Sequence, residues 1–87
     1  MTRQDIADMY GDELMFIDPP EKFDICIVGV ANRCGLQNSV VYCRHQILLA
    51  LMSDGMTESE ADEYISYNIE GAYVGETTPL IMEKLWT

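Results

Sequence analysis

The sequence predicts a small α+β domain, and three observations support that fold class. The chain has 87 residues, which is the length of one small domain. Two short runs rich in β-branched residues lie near its middle, separated by turn formers, as in a hairpin. The segments on both sides repeat apolar residues at helical spacing. We expect an N-terminal helix, a β-hairpin, an αα-hairpin and a C-terminal stretch that can add a strand, all in one domain over 1–87.

The first element is predicted to be an acidic amphipathic helix over 2–17. Thr2 followed by Asp5 resembles an N-cap arrangement, and Gly11 weakens the helix by about 1 kcal/mol relative to alanine. Asp18 precedes two prolines and should end it. Its apolar positions recur at helical spacing: Ile6, Met9, Tyr10, Leu14 and Ile17. Residues 1–21 then form an acidic helix and linker, and 23–82 form the body of the domain.

The body opens with a predicted antiparallel hairpin. Residues 23–31 are ambiguous, because their β-branched content favours a strand while their spacing also fits a helix. Residues 39–43 are a clearer strand, and the connection 32–38 is rich in turn formers. We interpret the two runs as a strand pair.

An αα-hairpin should follow over 44–71. Residues 44–53 form a helix that is apolar almost all round, so it should be buried on several sides, and covering it could require a homodimer. Gly55 is the expected left-handed residue after its end. Thr57 and Glu60 form a capping box, and Gly71 should end the second helix. On that helix one face is predicted to be apolar: Ala61, Tyr64, Ile65 and Ile69. Residues 80–82 are either a third strand or a short terminal helix.

The charge of the chain is unusual and unevenly distributed. Fifteen acids against five bases give a net charge of −10. Residues 25–53 hold two bases and no acid, whereas 54–83 hold eight acids and no base. This argues against direct binding to nucleic acid or anionic membrane, both of which require basic surfaces. A helix-turn-helix reading of 44–71 fails for the same reason.

The cysteines do not indicate a metal site or a disulfide framework. Cys26, Cys34 and Cys43 are widely spaced, no CxxC occurs, and His45 is the one histidine. We predict free thiols, no metal, no cofactor and no enzyme activity. We interpret the Cys43–His45 neighbours as a buried thiol beside a partly exposed imidazole. No apolar run is long enough to cross a membrane, and no signal peptide is recognisable, so a cytoplasmic location is expected.

A second region of interest follows the acidic helix. Asn68 falls inside the predicted apolar face, so its amide should be buried and satisfied by a neighbouring loop. The residues after it are rich in glycine, tyrosine and small polar types. This composition is typical of a tight turn with strict backbone requirements or of a ligand-binding turn. The candidate turn residues are Asn68, Gly71, Tyr73, Gly75, Glu76 and Thr77.

One stretch also resembles a known group of proteins. The strings DGMTESEA over 54–61 and YNIEGAYVGETTP over 67–79 look like small proteins of tailed phages and prophages. Phe23–Asp24 and the segment 27–31 are similar to that group as well. The resemblance covers about residues 23–82. It implies a phage or mobile-element origin and a life in the cytosol of an infected bacterium, and it carries no activity with it.

These observations favour an acidic interaction protein that binds a host protein. Carboxylates on one helix could replace phosphates and block a basic, nucleic-acid-binding surface, as an anti-defence or anti-CRISPR-like inhibitor would. The candidate contact residues are Glu58, Glu60, Asp62, Glu63, Tyr67 and Glu70. The alternatives are a small-ligand-binding homo-oligomer, a scaffold partner without activity, and an acidic face that only keeps the chain soluble.

Overall fold

The fold is an α+β domain, as the sequence predicts. The structure is a computed structural model and describes residues 2–11, 13–32, 37–71, 75 and 77–85. The N-terminal half contains α1 (Arg3–Tyr10), α2 (Pro20–Phe23), a 3₁₀ turn (Asp24–Cys26), β1 (Ile27–Ala31) and β2 (Ser39–Cys43). The C-terminal half contains α3 (Arg44–Ser53), α4 (Glu58–Tyr64), a π-helix that continues α4 (Ile65–Glu70) and β3 (Leu80–Met82).

A three-stranded sheet in the order β1-β2-β3 forms the centre of the fold. β1 and β2 pair antiparallel, with a register shift between Ile27 and Gly29, so the predicted hairpin pairing is confirmed. β2 and β3 pair in parallel, from Val41 opposite Leu80 to Cys43 opposite Met82. A parallel pair needs a long crossover, which α3, α4 and the π-helix provide. Residues 80–82 are therefore a strand and not a terminal helix.

The N-terminal helix is shorter than predicted. Its start is confirmed, because the Thr2 side chain accepts from the Asp5 N–H and the Asp5 carboxylate accepts from the Thr2 N–H. However, the helix ends at Tyr10, since Gly11 adopts a φ of 115°, in the left-handed region that favours glycine. Leu14 is buried all the same, so the apolar spacing beyond Gly11 reflects core contacts of a non-helical segment.

The first strand also begins later than the predicted 23–31. Pro20 at the first helical position starts α2, and the 3₁₀ turn extends the helical path to Cys26. The helical spacing that made this stretch ambiguous is therefore real up to Cys26, and the β-branched preference prevails only from Ile27 onward.

The αα-hairpin matches its predicted boundaries. α3 spans the predicted 44–53, and Gly55 has a φ of 107°. The prediction that α3 is buried on several sides is only partly right. Ile47 and Leu51 are buried, whereas Leu49 is 45% exposed. One stripe of the helix thus faces the core, and a homodimer stays a prediction.

Every described element contributes to one core. β2 is its centre, because this middle strand buries side chains on both faces of the sheet. The largest fully buried side chains are those of Tyr42, Ile47 and Ile65. The other core residues are Ile6, Leu14, Phe23, Cys26, Val40, Leu51 and Ala61.

The N-terminal segment is tied to this core by polar contacts at Arg3. Its guanidinium bonds Asp24 (Nε to Oδ1, 2.6 Å) and Asp18 (Nη1 to Oδ1, 2.9 Å) and also donates to the carbonyl oxygen of Ile17. It lies 4.9 Å from the ring centroid of Phe16, within cation–π range. These contacts hold 16–18 and the 3₁₀ turn against α1.

Tyr42 holds the segment 16–18 against the core by a second polar contact. Its hydroxyl oxygen accepts a hydrogen bond from the Ile17 N–H at 2.8 Å. Burial raises the pKa of the Tyr42 phenol above its ordinary value of 10.0, because the charged form is poorly solvated there. The folded chain therefore keeps this proton at pH values where the unfolded chain loses it.

We expect Tyr42→Phe to lower the free energy of unfolding by about 1–2 kcal/mol at pH 7, since the Ile17 N–H loses its acceptor. A group whose pKa is raised by folding stabilises the folded chain fully at pH values below its unfolded pKa. This contribution to the free energy of unfolding is lost as the pH rises toward the folded pKa. The difference in the free energy of unfolding between wild type and Tyr42→Phe should therefore shrink above pH 10.0. Urea denaturation at neutral and alkaline pH measures it, and a constant gap would contradict this assignment.

Candidate functional site

Helix α4 and its π-helical continuation carry the six candidate contact residues. The predicted capping box starts this unit. The Thr57 hydroxyl accepts from the Glu60 N–H at 3.2 Å, and Glu60 Oε1 accepts from the Thr57 N–H at 2.9 Å. Ala61 and Ile65 are buried, so they hold the helix on the core and leave its opposite side in solvent. Glu70 is the last residue before the predicted stop at Gly71.

One side of this unit is an internal ion-pair network. Arg44, at the start of α3, has a side chain that is only 15% exposed. Its Nη2 lies 2.8 Å from Asp62 Oδ1, and its Nε lies 3.4 Å from Glu70 Oε2 and 3.9 Å from Glu83 Oε1. The hydrogen bond to Asp62 raises the pKa of Arg44, so the guanidinium stays charged. Asp62 and Glu70 are therefore already paired with Arg44 within the chain, although one guanidinium cannot neutralise all three carboxylates.

The other side of the unit is an open groove with acidic and aromatic walls. We call it the α4 groove, and its lining residues are Met56, Glu60, Glu63, Tyr64, Tyr67 and Asn68. Met56 precedes α4, and Tyr67 and Asn68 belong to the π-helix, but all six side chains line the same groove. Tyr67 is 80% exposed, which makes it the most exposed aromatic side chain in the described part of the chain.

The structure thus divides the predicted contact residues into two groups. Glu60, Glu63 and Tyr67 meet in the α4 groove, while Asp62 and Glu70 face Arg44. Glu58 is exposed in the first turn and belongs to neither group. Sequence reasoning did not foresee Tyr64 and Met56 as groove residues. The spacing of Met56 and Tyr64, each four residues from Glu60, was the signal that could have found them.

The prediction for Asn68 is wrong. Its side chain is exposed and makes no hydrogen bond in the described part of the chain, so it does not bridge the helix to a turn. The reason is the π-helix, whose wider turn rotates residues after Tyr64 away from the positions that 100° per residue assigns. Tyr64 is also more exposed than the predicted apolar face requires, at 38%.

The candidate ligand turn is described only in part. Gly75 has a φ of 124°, Thr77 is buried, and Gly71 packs closely on helix carbonyl oxygens. Tyr73 and Glu76 lie outside the described residues. Next to this region is a cleft of about 200 Å³, lined by Met15, Phe16, Ile17, Asn68, Ile69, Thr78, Pro79 and Ile81. Its described lining is mostly apolar and contains no charged side chain.

The thiols behave as predicted where they are described. Cys26 and Cys43 are free and buried, and burial raises the pKa of the Cys26 thiol. His45 is exposed beside Cys43, and Cys34 lies outside the described residues. Within the described ranges, no three His, Cys, Asp or Glu side chains come together to hold a metal ion. No helix there has the length and apolar character needed to span a membrane.

The structure is thus an α+β domain whose α4 unit is acidic on its exposed side. No protein-family model matches the chain, and no curated protein or solved structure has significant similarity to it.

Proposed function

We propose that this chain is a small acidic accessory protein that binds a basic, nucleic-acid-binding protein of a bacterial host and blocks its surface. The observation that carries the proposal is the α4 groove, which Glu60, Glu63 and the exposed Tyr67 line together. Residues 57–70 hold no base, so nothing on this helix repels a cationic partner. The resemblance to phage proteins supports the choice of a bacterial host.

The electrostatics favour fast association with such a partner. A net charge of −10 attracts basic surfaces over a Debye length of about 10 Å at 0.1 M salt. Tyr67 supplies the kind of aromatic anchor that concentrates binding energy at interfaces. The carboxylates of the groove would then occupy positions that nucleic-acid phosphates take in the free partner.

The test is capture by the tagged full chain from a nuclease-treated bacterial lysate, followed by elution in a salt gradient. Nuclease treatment removes nucleic acid that could bridge two proteins. We expect a basic nucleic-acid-binding protein that elutes as the salt rises, and expect the added chain to displace DNA or RNA from that purified protein. Retention of nothing beyond the bead control, or retention that salt does not change, would contradict the proposal.

The cleft beside the candidate turn supports a second candidate function, the binding of a small ligand. Its described lining offers apolar side chains and the Asn68 amide but no base, so it suits an uncharged aromatic molecule better than a nucleotide. Thermal denaturation with a panel of uncharged aromatic compounds distinguishes the two, because a ligand of the folded state raises the melting temperature.

A further inference from the structure

We infer that the α4 groove recognises an arginine side chain of its partner, with the guanidinium stacked on Tyr67 and paired with Glu63. This inference rests on the proposed function and specifies the chemistry of the partner residue that enters the groove. The first observation is that only some of the acidic side chains of the α4 unit are paired with a base of the same chain. Arg44 occupies Asp62 and Glu70, whereas Glu63 has no cationic partner in the described structure.

The aromatic floor of the groove separates arginine from other cations. Tyr64, Tyr67 and Met56 line the same groove. A planar guanidinium can stack on a tyrosine ring and still direct its N–H groups to a carboxylate. A lysine ammonium can pair with Glu63, but it cannot stack in this way.

The chain already contains an example of the same arrangement. The Arg3 guanidinium lies 4.9 Å from the Phe16 ring centroid while it binds the carboxylates of Asp18 and Asp24. The α4 groove contains two parts of that arrangement, an exposed ring and carboxylates. A partner would provide the third part, the guanidinium.

A second copy of the chain is a poor source of that guanidinium. Arg3 and Arg44, the two arginines in the described ranges, are engaged in ion pairs, and the third arginine of the chain, Arg33, lies outside those ranges. Two copies also repel each other, because each carries a net charge of −10. Charge complementarity therefore assigns the groove to a basic partner of different sequence.

The experiment compares hexa-arginine with hexa-lysine, which carry equal charge, by calorimetry on the full chain and by NMR shifts of Tyr64 and Tyr67. We expect hexa-arginine to bind at least about fivefold more tightly, a difference of about 1 kcal/mol. Tyr67→Leu should abolish this preference, and Tyr67→Phe should retain it because the ring remains. Tyr10→Leu is the matched control, since Tyr10 is also exposed but lies on α1. Glu63→Gln should weaken both peptides, whereas Glu21→Gln should not.

Several results would overturn the inference. These are equal affinity for the two peptides, a preference that survives Tyr67→Leu, or no binding of either peptide. Shifts of Tyr64 and Tyr67 that depend on protein concentration without peptide would assign the groove to a second copy. Equal, salt-sensitive binding of both peptides would remove the inference and leave the proposed function standing. The proposed function fails separately, when the lysate capture retains no basic protein.

Discussion

Ile47→Ala should lower the free energy of unfolding by about 3 kcal/mol, the largest effect we expect from one substitution on stability. Ile47 is fully buried in α3 and belongs to the core cluster around β2. Removing its side-chain carbons loses the favourable free energy of burying them away from water. It also leaves a cavity that the packed core fills only in part. For a domain of this length the melting temperature should fall by about 12–24 °C.

Leu49→Ala is the matched control for this prediction. Leu49 lies on the same helix but is 45% exposed, so the same truncation should cost less than about 1 kcal/mol. Urea and thermal denaturation measure both variants. Similar losses for the two would mean that the exposed side of α3 is covered in solution, as the predicted homodimer would require.

The double variant Glu60→Gln, Glu63→Lys should weaken binding to the basic partner about thirtyfold at low salt, which corresponds to about 2 kcal/mol. It removes two negative charges at the α4 groove and adds one positive charge. Glutamine at position 60 keeps a carbonyl oxygen for the Thr57 N–H, so the capping box can survive. The loss should shrink as salt rises, because screening weakens attraction and repulsion alike.

The control carries the same change in net charge at a distant place. Glu13 and Glu21 are exposed and lie outside α4, so Glu13→Gln with Glu21→Lys alters long-range attraction but not the groove. We expect this control to bind within about threefold of wild type, since only steering changes. Equal losses in the two double variants would show that net charge, and not the groove, determines binding.

The features that the sequence predicts well are those with local causes. The capping box at Thr57, the stop at Gly55 and the extent of α3 each depend on residues within one or two turns. The early end of α1 also has a local cause, because Gly11 adopts a positive φ, but the sequence suggested only a weakened helix. Apolar spacing continued past it and masked the break.

The features that the sequence misses depend on distant contacts or on a change of helix type. Nothing near Arg44 indicates that it will pair with Asp62, Glu70 and Glu83, because these residues meet only after the chain has crossed over the sheet. The six candidate acidic and aromatic residues therefore looked like one surface. The π-helix likewise has no signature in the sequence, and it moved Asn68 from the expected core side into the groove.

The parallel pairing of β2 and β3 joins the sheet to a strand that lies beyond the acidic helix in the sequence. Val41 and Leu80 are partners across 39 positions of sequence, so their pairing closes a long loop and incurs its entropic cost before the strand contact forms. The ion pair between Arg44 and Glu83, the residue after β3, forms only when β3 pairs with β2. The ion-pair network beside the acidic helix is therefore completed only when the chain beyond the π-helix has folded back onto β2, whereas α4 and its capping box form from local contacts.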